Sequence, residues 1–262
     1  MEYLDAIELN KVVDELVERW KGVVVPFYTN APNSRVTYQS IGSGFVVLLG
    51  NEIYLATAHH VIDEINERMD RSGANGVISN ICGTGCDLSG LKFEAIKSED
   101  VAAAHLNREW ADTKGIERVT PYNLNQDKSH LIRTEKYFVL GYPSSKNKLN
   151  EQLDKKDRHI FGYSFCAKKQ QSEHTEIEGH EAFILDVDDM YSTEGEKRRP
   201  PNLDGVSGSP VFEIMCDLSN PGKAHFAVDL IGVFVEWRMK ANEIVCSRIQ
   251  NVVSCCLAHH MS

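Results

Sequence analysis

No run of this sequence approaches the roughly 18 consecutive apolar residues that a membrane-crossing helix requires. Nothing near Met1 joins a basic stretch to an apolar one in the manner of an export signal. Both absences lead to the expectation of a cytoplasmic protein. Positive charge is also scarce: 28 Lys and Arg stand against 38 Asp and Glu, a formal net charge of −10. Such a field repels phosphate backbones and acidic lipid surfaces, so neither nucleic acid nor membrane is expected as a partner. Repeats of fixed period and low-complexity tracts are missing too. The seven cysteines, Cys82, Cys86, Cys166, Cys216, Cys246, Cys255 and Cys256, are odd in number and cannot all pair within the chain. Reduced thiols are therefore expected. Cys82 and Cys86 have three residues between them, but no matching second pair completes a zinc set, so no metal is expected and no cofactor.

What is present is ordinary globular material: 262 residues, 42% apolar and 25% charged, enough for a sizeable core. Between residues 3 and 20, Leu9, Val12, Val13, Leu16, Val17 and Trp20 recur at helical spacing with acids and Arg19 between them, and Gly22 is a natural stop. That amphipathic helix is expected to pack on the protein's own body, with docking of a partner as the alternative. Beyond it the texture changes to short β-branched and aromatic runs, such as Val23 to Phe27, Phe45 to Leu49, Ile53 to Ala56, Lys136 to Leu140, Pro210 to Ile214 and Phe226 to Trp237. Helix-strand alternation is absent, which excludes a doubly wound parallel sheet. Three stretches interrupt the strands: 107–125, 144–157 and the charged loop 192–204. The tail from Ile249 to Leu257 reads as a helix.

Three short segments carry chemistry. In Asp204-Gly205-Val206-Ser207-Gly208-Ser209-Pro210 a serine sits among glycines at the mouth of a strand. Glycines permit positive φ and a sharp turn, so flanking amides can converge on one spot and stabilise an oxyanion. Alone, this would be a glycine-rich turn. Far upstream, Thr57-Ala58-His59-His60 ends an apolar strand with a residue type suited to proton transfer near neutral pH. Between them, Asp100 opens the apolar run Val101-Ala102-Ala103, where a carboxylate entering the core can fix an imidazole tautomer. The order His, Asp, Ser links the three.

With those motifs the sequence resembles the trypsin-like, chymotrypsin-fold serine peptidases, in particular bacterial members without zymogen activation such as the Deg proteases and glutamyl endopeptidases. Thr57-Ala58-His59-His60 is similar to the family's Thr-Ala-Ala-His, Asp100-Val101-Ala102 to Asp-(Ile/Val)-Ala, and Gly205-Val206-Ser207-Gly208-Ser209-Pro210 to Gly-x-Ser-Gly-(Gly/Ser)-Pro. Gly42-Ser43-Gly44-Phe45 and Gly141-Tyr142-Pro143 fit the same frame. The resemblance implies His60 as general base, Asp100 as orienting acid, Ser207 as nucleophile, and the backbone amides of Gly205 and Ser207 as oxyanion donors. It also implies a substrate pocket along Leu230 to Trp237 that includes Val235 and Glu236, where Glu236 would favour a positively charged side chain.

The fold it implies is all-β: two packed six-stranded antiparallel barrels, residues 23–121 with His60 and Asp100 and residues 122–262 with Ser207. An N-terminal helix over 1–22 and a short C-terminal helix are added. No Ile-Val-Gly-Gly start is present for activation by a new N-terminus. The expected function is a serine endopeptidase acting on protein or peptide substrates, with regulation by a partner through the N-terminal helix or loop 192–204. The alternative is a catalytically silent or latent peptide-binding module on the same fold. An α/β-hydrolase elbow, Gly-x-Ser-x-Gly, is disfavoured because Ser209 stands where its last glycine would be.

Overall fold

The computed structural model describes residues 12, 15–30, 38–72, 77–81, 84–88, 90–107, 109–110, 121–144, 161–168, 175–177, 180–192, 203–217, 225–240 and 243–260. The first half contributes β1 (Val24–Asn30), β2 (Tyr38–Leu49), β3 (Glu52–Thr57), helix α1 (His59–Ser72), β4 (Val77–Ile81), β5 (Thr84–Asp87), β6 (Phe93–Ile96), β7 (Val101–His105) and the two-residue β8 (Tyr122–Asn123). The second contributes β9 (Ile132–Gly141), β10 (Phe161–Lys168), β11 (Thr175–Ile177), β12 (His180–Ser192), β13 (Pro210–Asp217), β14 (His225–Arg238), β15 (Glu243–Arg248) and helix α2 (Ile249–Ala258).

The chain is mostly β, in two antiparallel sheets. The first runs β5-β4-β1-β2-β3-β7-β6, with β8 added in parallel to β2. The second runs β10-β9-β13-β14-β15-β12-β11, and β10 also pairs with β12, which closes six strands into a barrel with β11 appended. The expected chymotrypsin-like pair of barrels is thus present, the second closed and the first an open curve among the described residues.

Strand periodicity explains how the two pack. On β9, Tyr137 and Val139 belong to one buried cluster with Val206, Val211, Phe234, Ile244 and Cys246. Phe138 and Leu140, pointing the other way, join the larger cluster that fills the first barrel and the junction between the two. A strand covered on both faces reads as a continuous apolar run, as Tyr137 to Leu140 does. Residues 15–20 are helical, and Leu16 and Val17 are buried. Trp20 lies against Tyr122 and Phe212, with ring centroids 5.0 and 6.1 Å away, so this helix packs on the body of the protein.

Two helices position the site. Helix α1 buries Val61 and Ile65, with Ile62 and Met69 packed beside them, a helical stripe laid over the first sheet. The sequence reading of His59 and His60 as a strand end is corrected here, since β3 stops at Thr57 and both histidines lie in the first turn of α1. Helix α2 buries Val252, Cys255 and Cys256 and lies on β7, whose small Ala102, Ala103 and Ala104 allow close approach.

Candidate active site

The first-turn amides of α1 have no acceptor within their own helix. Asp100, in the turn that joins β6 to β7, satisfies two of them: its carbonyl accepts His59 N–H at 3.2 Å, and its carboxylate Oδ1 accepts His60 N–H at 2.8 Å. Oδ2 of the same carboxylate lies 2.6 Å from His60 Nδ1. One residue therefore caps the helix and holds the imidazole. It can do so because it sits in the left-handed region, φ 49° and ψ 46°, with its own N–H bonded to the Lys97 carbonyl at 3.2 Å. Aspartate is among the few non-glycine residues that visit this region, and Asp100 alone does so among the described residues.

With Nδ1–H donated to the carboxylate, the lone pair of His60 is on Nε2. Burial on its own would lower this imidazole's pKa. The Asp100 hydrogen bond and charge, with the charges of Glu64 and Asp63, outweigh that effect and raise it above the ordinary histidine value. His59 is occupied elsewhere: its Nδ1 lies 3.2 Å from Asp63 one turn along α1.

Ser207 sits on two consecutive turns. Val206 N–H donates to the Leu203 carbonyl and Ser209 N–H to the Val206 carbonyl, each at 2.9 Å. The third residue of each turn is a glycine at positive φ, Gly205 at 87° and Gly208 at 85°, the conformation of a type II turn. A Cβ on Gly208 would stand 2.1 Å from the Ser43 carbonyl oxygen and 2.2 Å from Thr57 Oγ1, so glycine is required there twice over. The amides of Val206, Gly208 and Ser209 are all committed, whereas those of Gly205 and Ser207 donate to no other described residue.

The loop is fastened to the first barrel by Ser43, whose significance the sequence reading missed. Ser43 N–H donates to the Ser207 carbonyl at 2.8 Å, and its hydroxyl donates to the Gly205 carbonyl at 2.8 Å. That hydroxyl also accepts Tyr142 N–H at 3.1 Å, while the Ser43 carbonyl accepts from Thr57 Oγ1 at 2.7 Å. The signal was the Gly42-Ser43-Gly44 spacing: flanking glycines permit close approach, since a Cβ on Gly42 would fall 3.2 Å from the Ser207 carbonyl oxygen.

His60 and Ser207 line one cleft of about 480 Å³ with Leu203, Asp204, Phe234, Val235, Glu236, Trp237 and Met239. The structure thus brings His60, Asp100, Ser207, Val235 and Glu236 to the same region. The Ser207 hydroxyl donates to the Val235 carbonyl at 3.2 Å rather than to His60. Val235 is the extra residue of a bulge, since Phe234 pairs with Cys246 and Glu236 with Val245. Glu236 is exposed, with Arg238 Nε 3.5 Å from its carboxylate. Trp237 ends the stretch along which the resemblance implied a pocket, whereas Leu203 and Met239 were not singled out from the sequence. Met239 stands 70% exposed at the cleft's edge.

Residues 193–202 of the charged loop, residues 1–11 of the N-terminal segment and Cys82 lie outside the described residues. Among the described residues no helix is long and apolar enough to cross a membrane.

No family model matches the sequence, and no curated protein matches it. Among solved structures, the inactive form of a serine-to-alanine mutant of Rv3671c from M. tuberculosis H37Rv is similar over 94% of this chain and 90% of its own, at 15% identity and a TM-score of 0.47. The serine protease domain of the Sesbania mosaic virus polyprotein is similar over 89% of this chain and 91% of its own, at 14% identity and a TM-score of 0.44.

Proposed function

We propose that this protein is a serine endopeptidase in which Ser207 is the nucleophile, His60 the general base and Asp100 the orienting acid. The observation that carries the reading is an imidazole held 2.6 Å from a buttressing carboxylate, in one cleft with a serine whose loop leaves two neighbouring amides uncommitted. In this reading the Ser207 hydroxyl turns from the Val235 carbonyl toward His60 as substrate enters. Oγ attacks the peptide carbonyl carbon, its proton passes to Nε2, and the carbonyl oxygen becomes an oxyanion stabilised by the amides of Gly205 and Ser207. Collapse breaks the C–N bond, His60 returns the proton to the leaving amine, and water, deprotonated by His60, releases the acyl group. Asp100 remains a carboxylate throughout and stabilises the imidazolium as it forms.

The mouth of the cleft carries the carboxylates of Asp204 and Glu236, and no lysine or arginine lines it among the described residues. In this reading, a carboxylate such as Glu236 beside the bound substrate favours a positively charged side chain there. Arg238 offsets part of the Glu236 charge, so the Glu236 contribution is modest. A second reading, a latent or silent peptide-binding module, draws on one observation, the bond from Ser207 to Val235 in place of His60.

A fluorophosphonate probe separates the two. The peptidase reading expects a covalent mass increase on Ser207 in the folded wild type and none in Ser207→Ala, with peptide turnover in that variant lower by on the order of a millionfold. Folded wild-type protein that takes up no probe would establish the silent module.

A further inference from the structure

A non-glycine residue in the left-handed region persists only where its surroundings over-determine it. Asp100 occupies the four-residue turn 97–100, closed at its base by the Ile96 and Val101 pair of β6 and β7. Its carboxylate caps α1, but that contact depends on the turn being held and does not explain what holds it. Both neighbours of Asp100 are gripped by a single helix from the other end of the chain. On α2, Asn251 Nδ2 donates to Glu99 Oε2 at 3.1 Å and to the buried Ser247 Oγ of β15 at 3.2 Å. One turn further, the Cys255 thiol lies 3.9 Å from the Val101 carbonyl. Positions 251 and 255 are four apart and therefore share one face of the helix, and that face straddles Asp100 at residues 99 and 101.

We infer that Asn251 and Cys255 of α2 form a two-point clamp that sets the backbone of Asp100, making Asn251 a positioning residue for the His60–Asp100 pair. The inference rests on the assignment of Asp100 as the orienting acid. Asn251 acts at a distance: it touches neither the imidazole nor the cleft, and it transmits the second barrel's geometry, through Ser247, to a carboxylate of the first. Glu99 serves as the handle, and it needs an acceptor atom there rather than a charge. The charged groups that set the His60 titration are Asp100, Glu64 and Asp63, and Asp204 and Glu236 line the same cleft. None of these is altered by a change at Asn251 except through the placement of Asp100.

The test is an NMR titration of the His60 imidazole in the full chain, with thermal unfolding as a check on folding. Asn251→Asp removes the donor and sets a second carboxylate against Glu99; Glu99→Ala removes the acceptor from the half-exposed turn. Both are expected to move the His60 pKa downward toward the ordinary histidine value. The double variant Asn251→Asp/Glu99→Gln exchanges donor and acceptor and is expected to restore the wild-type titration. In peptide turnover the single variants lose kcat by about tenfold with KM unchanged. That is well short of the roughly 10⁴-fold lost when such an acid is itself disabled. An unshifted His60 pKa in folded Asn251→Asp or Glu99→Ala, or no restoration in the folded double variant, overturns the clamp. If the titrations behave as expected while fluorophosphonate fails to label the wild type, the clamp stands as a structural device and the peptidase reading falls.

Discussion

At the scale of single residues, the raised pKa of His60 gives two opposite pH dependences. Because the folded state favours imidazolium, the stability this group contributes is complete below the unfolded histidine value and is lost as pH rises through the folded one. Under the proposed function, activity runs the other way, since a general base must be neutral. The kcat/KM profile is expected to rise with pH through an inflection above the ordinary histidine value, and Asp100→Asn to move that inflection down; rates across pH 5 to 9 check both. The thiols supply a second expectation. Burial pushes Cys255 up to about 11 and Cys256 to about 12, and Cys216 and Cys246 upward as well. Iodoacetamide at about pH 8 should therefore leave these four unmodified in native protein and modify all of them after denaturation, as read by peptide mass. The residues that the sequence put forward for chemistry, Ser207 between its glycines, Asp100 at the head of an apolar run and His60 after Thr57-Ala58, are brought to one region by the fold. Ser43 and Asn251 were not visible in this way, because their partners Gly205 and Glu99 lie 162 and 152 residues away and only the fold makes them neighbours.

At the scale of elements, the Ser207 loop depends on contact with β2 and β3. Gly208→Ala places a methyl group against the Ser43 carbonyl and Thr57 Oγ1 at a φ of 85°. The backbone alone costs about 1–2 kcal/mol, and the overlap forces the loop away from the first barrel. A lowered melting temperature and loss of probe labelling at Ser207 are expected, measured by calorimetry and mass spectrometry on the same sample. The strands around this loop were legible from their β-branched runs, and the tail from Ile249 to Leu257 read as a helix, which α2 matches. Helix α1 was not recognised, although Val61, Ile62, Ile65 and Met69 carry its stripe. The apolar run of β3 continues through buried Ala58 into the helix without a glycine or proline, so no local signal marks the change. The capping group that normally announces a helix start is Asp100, supplied from 40 residues downstream.

At the scale of the whole molecule, β9 and β13 serve both cores, and a buried acid on β13 is bonded to an arginine of β9. Glu213 is fully buried on β13, and Arg133 of β9 bonds to one of its oxygens through Nε at 2.8 Å. Removing the guanidinium leaves an uncompensated carboxylate, which costs about 3–5 kcal/mol in a buried pair. Arg133 is itself partly exposed, so Arg133→Ala is expected toward the lower end, read as a shift in the urea midpoint. The all-β, two-barrel architecture was legible through the resemblance carried by a few short motifs. The same resemblance implied closure of the second barrel, although composition alone does not specify that β10 meets β12.

The clamp on Asp100 also has a timetable. A ribosome moving along the message makes Glu99 long before Asn251, and at roughly 5–20 residues per second the 152-residue interval lasts about 8–30 s. Throughout that interval a nascent chain can carry the histidine, the acid and, toward its close, the serine, yet lacks the helix that sets the acid in place. Under the proposed function, the chain reaches its full hydrolytic rate only once translation has passed α2, which limits action on the unfinished polypeptide and its neighbours on the polysome.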